Sequence, residues 1–217
     1  MATQLDLEEQ EQLDQLKAFW KQYGNLITWL LIAVLGSFAA WNGWNWWQRE
    51  QAVSASGMYD ELDKAVGSDD VATASRIFDD LKSRYPRTAY AQQAGMLAAK
   101  LQHEKGQSDA AQATLRWVAE EATDTEYRAL AHLRLAGLLL DAQQYDAALK
   151  QLDAAEGKEF EALVADRRGD ILQAQGKLDE AKAAYQQAWK AFDSEVAYRR
   201  LVEAKLTALG AAPEAAR

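Results

Sequence analysis

The sequence predicts an all-α protein in two parts: one membrane-spanning helix near the N-terminus, then an α-solenoid of stacked helix pairs. Three observations carry this. Only two prolines and 12 glycines occur in 217 residues, against abundant Ala, Leu, Gln, Glu and Lys, which favours helix. Residues 22–48 carry no charged side chain and have aromatic residues at both ends. From about residue 70, small and large residues recur at offsets of 33 and 37 positions.

As an average, 24 Lys and Arg against 33 Asp and Glu give a net charge of −9 and describe an acidic, soluble chain. The tryptophans contradict the average. Six of the eight (Trp20, Trp29, Trp41, Trp44, Trp46, Trp47) fall within 28 residues. Absence of Cys excludes a disulfide scaffold and a thiolate zinc site. Two lone histidines, His103 and His132, leave little for a metal centre or a His-based triad. A pI near 4.8 argues against nucleic acid. Acid pairs such as Asp69/Asp70 and Glu120/Glu121 diverge on a helix, and the glycines form no phosphate-binding loop. No enzyme activity, cofactor, metal or small-molecule substrate is therefore expected.

Residues 1–21 form an acidic tail with two basic and five acidic side chains. Leu13, Leu16 and Trp20 share one helical face, and Thr3 could cap the helix with Asp6 three residues on. The tail is either a cytoplasmic contact or a solvated extension of the next element. Residues 22–48 are the expected span. From Leu26 to Trp47 there are 22 residues, about 33 Å of helix against a hydrocarbon core of about 30 Å. Trp20 and Tyr23 before it, and Trp41, Trp44, Trp46 and Trp47 after it, suit the two membrane interfaces. Ser37-Phe38-Ala39 offers a signal-cleavage site, but an acidic start is wrong for a signal peptide. An uncleaved anchor is expected. Lys17 and Lys21 before the span, against Arg49 and Lys64 after it, favour a cytoplasmic N-terminus by a small margin. Ala33, Gly36, Ser37 and Ala40 could form a lateral helix contact, or be ordinary membrane-helix composition.

Residues 49–209 read as three to four repeats plus an end helix. Ala99, Ala136 and Gly169 are small positions of each first helix, and Ala74, Ala111, Ala148 and Ala181 are their counterparts on each second helix. Phe78, Leu115, Leu152 and Tyr185 are the large partners. Gly106 and Gly176 suit the turn between the two helices, and Pro86 ends a helix. This resembles the tetratricopeptide pattern of about 34 residues per unit. The aromatic usual at the fourth position is missing; Gly95, His132 and Ala165 stand there. The offset of 37 suggests an insertion near Glu121–Asp124. The first repeat helix, about Arg49 to Val66, is expected to continue from the span and hold the array near the bilayer. Glu195–Leu209 is expected to be a solvating end helix, and Gly210–Arg217 a disordered tail.

Stacked helix pairs bind ligands on the face lined by their first helices. Candidates there are Met96, Lys100, His103, Leu130, Leu133, Arg134, Gly137, Leu140, Leu163, Arg167 and Asp170. An apolar floor with a basic edge suits an extended or helical protein segment. Leu130, Leu133 and Leu140 could instead be core residues, in competition with Leu135 and Leu139. The Lys/Asn pattern of carboxylate-clamp repeats is absent at these positions.

The layout resembles the YfgM family: an acidic tail, an aromatic-flanked span with Trp44–Trp47 followed by Gln48-Arg49, and the Ala74/Phe78/Leu81/Pro86 half-unit with Tyr85. The resemblance covers nearly the whole chain. It implies an ancillary subunit of the Sec translocon in the bacterial inner membrane. Its helical domain would be periplasmic, with membrane lipid, translocon subunits and a membrane-anchored chaperone of the PpiD type as partners. It would assist handover of secretory proteins. The alternative is a tetratricopeptide scaffold for another envelope assembly, such as cytochrome maturation or cell division.

Overall fold

The computed structural model describes residues 7–155 and 157–212. Thr3 and Asp6, and the last five residues of the expected tail, lie outside them. Among the described residues there are helices, turns and no strand, so the fold is all-α, as expected. The first helix, α1 (Leu7–Gly67), has 61 residues. Two units divide the chain, one ending at Glu50 and one starting at Gln51, and the border falls within α1.

Between Leu26 and Trp47 the helix of the first unit carries apolar side chains all round. Leu26, Trp29, Leu35, Phe38, Trp41 and Trp46 each expose about two thirds of their surface. A helix that is apolar on every face needs an apolar surrounding, and this one is long and apolar enough to cross a membrane. Its few polar groups return their donors to the backbone one turn earlier. Thr28 Oγ1 donates to Gly24 O (2.8 Å), Ser37 Oγ to Ala33 O (2.7 Å) and Asn42 Nδ2 to Phe38 O (2.9 Å). Both hydroxyl donors and one of the two Asn42 amide N–H groups are thereby paired; unpaired in lipid, each would cost several kcal/mol. The Trp44 and Trp47 rings pack 5.2 Å apart.

The second unit starts in α1 and continues with α2 (Val71–Arg84), α3 (Ala89–Glu104), α4 (Ser108–Glu121), α5 (Thr125–Asp141) and α6 (Tyr145–Asp153). A short 3₁₀ turn (Lys158–Phe160) precedes α7 (Glu161–Ala174), α8 (Leu178–Ala191) and α9 (Arg199–Ala208). The small positions sit where their spacing implies. Ala74, Ala99, Ala111, Ala136, Ala148 and Ala181 are all buried, and so are Phe78, Leu115, Leu152 and Tyr185. At Gly95, a Cβ would stand 2.5 Å from Val118 Cγ2 and 3.0 Å from Phe78 Cε2. The missing aromatic is thus replaced by an inserted neighbour: Phe78 packs edge-on against Trp117 at 5.4 Å.

The turns show a repeat that residue identity hides. Positive φ occurs at Asp69 (61°), Gly106 (75°), Gln143 (57°) and Gly176 (76°). Successive separations are 37, 37 and 33 residues. Every pair of helices in a unit is joined through one left-handed residue, and glycine supplies it in only two of four turns. Gly176→Val should cost about 1–2 kcal/mol, because a side chain in this conformation crowds its own carbonyl. Chemical denaturation followed by helicity would measure it.

Two expectations need correction. No inserted loop lies near Glu121–Asp124, since only three residues separate α4 from α5. The 37-residue spacing is the fuller form, with a 14-residue second helix in α4. The shorter spacing arises chiefly because α7 has 14 residues where α5 has 17; the nine-residue α6 is nearly offset by the longer connection that follows it. The end helix also starts later than expected, at Arg199, and does more than solvate. Val202 and Leu206 of α9 are fully buried against α7 and α8 residues, including Leu172, Tyr185 and Ala188.

Three apolar clusters result. One joins the end of α1 to α2 and α3 through Ala55, Leu62, Phe78 and Leu101. A central one runs from α3 to α7 around Leu115, Leu135, Leu139 and Leu152. The last holds α7, α8 and α9. A buried amide links α2, α3 and α4 besides: Gln102 Nε2 donates to Ser75 Oγ (3.0 Å), and Gln102 Oε1 accepts from Thr114 Oγ1 (2.9 Å).

Candidate protein-binding cleft

On α5 the positions Leu130, Leu133, Arg134, Gly137, Leu138 and Asp141 recur at helical spacing on one face. They line a cleft of about 420 Å³. Its other walls come from Ala99, Lys100 and His103 of α3, Leu115 of α4, Leu163, Asp166 and Arg167 of α7, and Tyr198 just before α9. Apolar surface makes up most of the lining, which also includes the cations Lys100, Arg134 and Arg167. The bare Gly137 matters here: a Cβ there would lie 3.9 Å from Arg167 Cζ, so the guanidinium of α7 reaches across to α5.

Lys100, His103, Leu130, Leu133, Arg134, Gly137, Leu163 and Arg167 are therefore brought together as the spacing suggests. Three candidates are not. Met96 is 5% exposed and belongs to the central core, and its carbonyl accepts from Arg134 Nη1 at 3.5 Å. Leu140 is half-buried against the same core. Asp170 lies one turn beyond Asp166, on the side of α7 that meets α8 and α9, and bonds to their residues. Leu133 is both floor and core, being 8% exposed. His132 packs instead between helices, with Nδ1 2.8 Å from Gln151 Oε1.

Sequence reasoning missed Ala99, Leu115, Leu138, Asp141, Asp166 and Tyr198 as lining residues. The i+4 and i+7 spacing from Arg134 could have found Leu138 and Asp141. Nothing periodic announces Tyr198, which comes from outside the repeats.

Tyr198 and Asp166 belong to a buried polar cluster that closes one side of the cleft. Asp166 is 1% exposed. Its carboxylate accepts from Lys205 Nζ at 2.8 and 2.9 Å and from Tyr198 OH at 2.8 Å. Lys205 Nζ also donates to Asp170 Oδ1 at 2.7 Å, an atom that accepts from Tyr185 OH at 2.8 Å. Arg167 Nη1 reaches Asp170 Oδ2 at 3.3 Å. One lysine of α9 thus serves two carboxylates of α7. Arg199 adds a second tie, stacking on Trp189 (4.0 Å) and donating Nε to its carbonyl (3.1 Å).

Burial, followed by the hydrogen bond to Asp166, pushes the Tyr198 hydroxyl up to about 12. Burial and the bond to Asp170 also raise Tyr185. Both groups fold as neutral donors, so their contribution is fully present below the ordinary tyrosine value near 10. The Tyr198 part is lost as pH rises from about 10 through about 12, and the Tyr185 part has the same sign. Alkaline titration of helicity should therefore show a loss of stability in that window, shallower in Tyr198→Phe. An unchanged titration in Tyr198→Phe would remove Tyr198 from the linkage.

An apolar helix followed by stacked helix pairs with a lined cleft defines a tetratricopeptide-like α-solenoid protein carrying a membrane-anchor helix. Residues 17–211 match the tetratricopeptide repeat-like domain family. Three relatives named "Ancillary SecYEG translocon subunit" match nearly end to end. The one from Neisseria gonorrhoeae is 32% identical over 204 residues, covering 94% of this chain and 98% of its own. That from Haemophilus influenzae is 33% identical, covering 84% and 89%. That from Escherichia coli is 29% identical, covering 93% and 96%. The chain belongs to the family of these ancillary translocon subunits, the YfgM family.

Proposed function

We propose that this protein is a membrane-anchored adaptor of the SecYEG translocon whose helical domain binds proteins on the periplasmic side. The observation that carries the reading is the similarity to named SecYEG subunits over 98% of a relative's length, including the span. Fold and site support it: an exposed apolar helix suits a lateral membrane contact, and an apolar cleft whose lining includes cations suits a protein segment. In this reading the N-terminus is cytoplasmic, Trp20, Tyr23, Trp41, Trp44, Trp46 and Trp47 sit at the bilayer interfaces, and the protein binds rather than catalyses. The cleft receives secretory chains or a chaperone of the PpiD type, and handover follows.

Photo-crosslinkers at Trp41 in the span and Leu163 in the cleft test this in living cells. Translocon subunits from Trp41, with a chaperone or a secretory chain from Leu163, are the expected products. Exclusive capture of cytochrome-maturation or division proteins would overturn it in favour of a different envelope scaffold. Protease added from the periplasmic side should remove the helical domain and spare the tail; the reverse pattern overturns the orientation.

A further inference from the structure

Resting on the reading of the helical domain as a protein-binding module, we propose that the cleft selects an apolar protein segment bearing one carboxylate, which seats on Arg134. Charge pairing singles out this residue. Arg167 is committed to Asp170 (3.3 Å) and Lys100 stands 3.8 Å from Glu104. Asp166 is held by Lys205 and Tyr198. Among the described residues, the cleft charges without an opposite charge within ion-pair distance are Arg134 and Asp141. They lie seven residues apart on α5, about 10 Å along the helix axis, too far to neutralise each other directly.

Arg134 is exposed to solvent, yet it stands beside a floor that includes Leu130, Leu133 and Leu163. Its fork can take a carboxylate bidentately once a ligand covers that floor and displaces water. Asp141, two turns further on the same face, opposes a second acid at that end. The cleft should therefore prefer one carboxylate among apolar residues over a polyacidic segment. A protein segment is the fitting occupant because the lining crosses α3, α5 and α7, the first helices of three successive pairs. The cleft volume, about 420 Å³, lies within the range of about 300–1,000 Å³ usual for ligand-holding cavities.

The test uses the full-length protein in neutral-lipid nanodiscs. Fluorescent ten-residue peptides rich in Leu and Ala carry a single central Glu, Gln or Lys. The Glu peptide should bind about tenfold tighter than the Gln peptide, the worth of one charge-assisted bond, with Lys weakest. Arg134→Gln should bring the Glu and Gln peptides level in a protein whose helicity is retained. Asp141→Asn should improve binding of a peptide with two acids. Equal affinity of the Glu and Gln peptides for the parent protein overturns the proposal, as does a Glu preference that survives Arg134→Gln. Binding of a long-chain fatty acid with no peptide bound overturns it in favour of a lipid ligand. The two readings fail separately: translocon crosslinks without peptide binding refute only the cleft assignment, and peptide selectivity without those crosslinks refutes only the translocon role.

Discussion

Replacing Lys205 by Met is expected to destabilise the helical domain by about 3 kcal/mol, the scale for stranding a buried charge. The substitution removes the one cation that bonds both Asp166 and Asp170, and Asp166 is 1% exposed. Tyr198 and Tyr185 can each still donate, but neither carries charge. The melting temperature should fall by about 6–12 °C, using about 2–4 °C per kcal/mol for domains of this size. Adding Asp166→Asn should restore part of the loss, because an amide can still accept from Tyr198 and needs no counter-charge. A loss below about 1 kcal/mol would show that water replaces the ammonium at no great cost. Because Asp166 and Tyr198 also line the cleft, peptide binding should weaken along with stability.

Gly169→Val is expected to cost about 3 kcal/mol, the upper part of the usual range for overpacking. A Cβ at this position would lie 2.5 Å from both Cδ1 and Cε1 of Tyr185. The ring has no easy escape: it is 1% exposed, and its hydroxyl is bonded to Asp170 and Gln173. Equivalent positions in the two preceding units carry Ala against Leu (Ala99 with Leu115, Ala136 with Leu152). Gly169→Ala combined with Tyr185→Leu should therefore lose less than the sum of the two single changes. Urea denaturation of the four proteins of this cycle measures the coupling; strict additivity would show that the two positions do not compete for space.

The fold was legible because its rule is local. A small residue at each close helix approach and a large one beside it are fixed by packing, and they reappear in every unit from Ala74 to Tyr185. The apolar helix was legible because its length and composition can be read directly from the sequence. The cleft was only partly legible. Periodicity places Leu130, Arg134 and Gly137 on one face, but it cannot tell which turn of a first helix faces the neighbouring pair, and Met96, Leu140 and Asp170 fall outside the lining. The Lys205 cluster was invisible for a different reason. Its members lie up to 39 residues apart in sequence, and α9 is outside the repeat, so no spacing connects them. The turns were half-legible: Gly106 and Gly176 announce positive φ, whereas Asp69 and Gln143 adopt it unannounced.

The brevity of α6 has a dynamic consequence. Its nine residues give the third pair only Ala148 and Leu152 as buried side chains on its second helix, where α4 provides five. Little apolar surface therefore opposes local opening at that point. Amide protons of α6 and the 3₁₀ turn should exchange faster than those of α4 and α8. The central core runs unbroken from α3 to α7 around this short helix, so local opening of α6 can leave the cleft walls of α3, α5 and α7 in place.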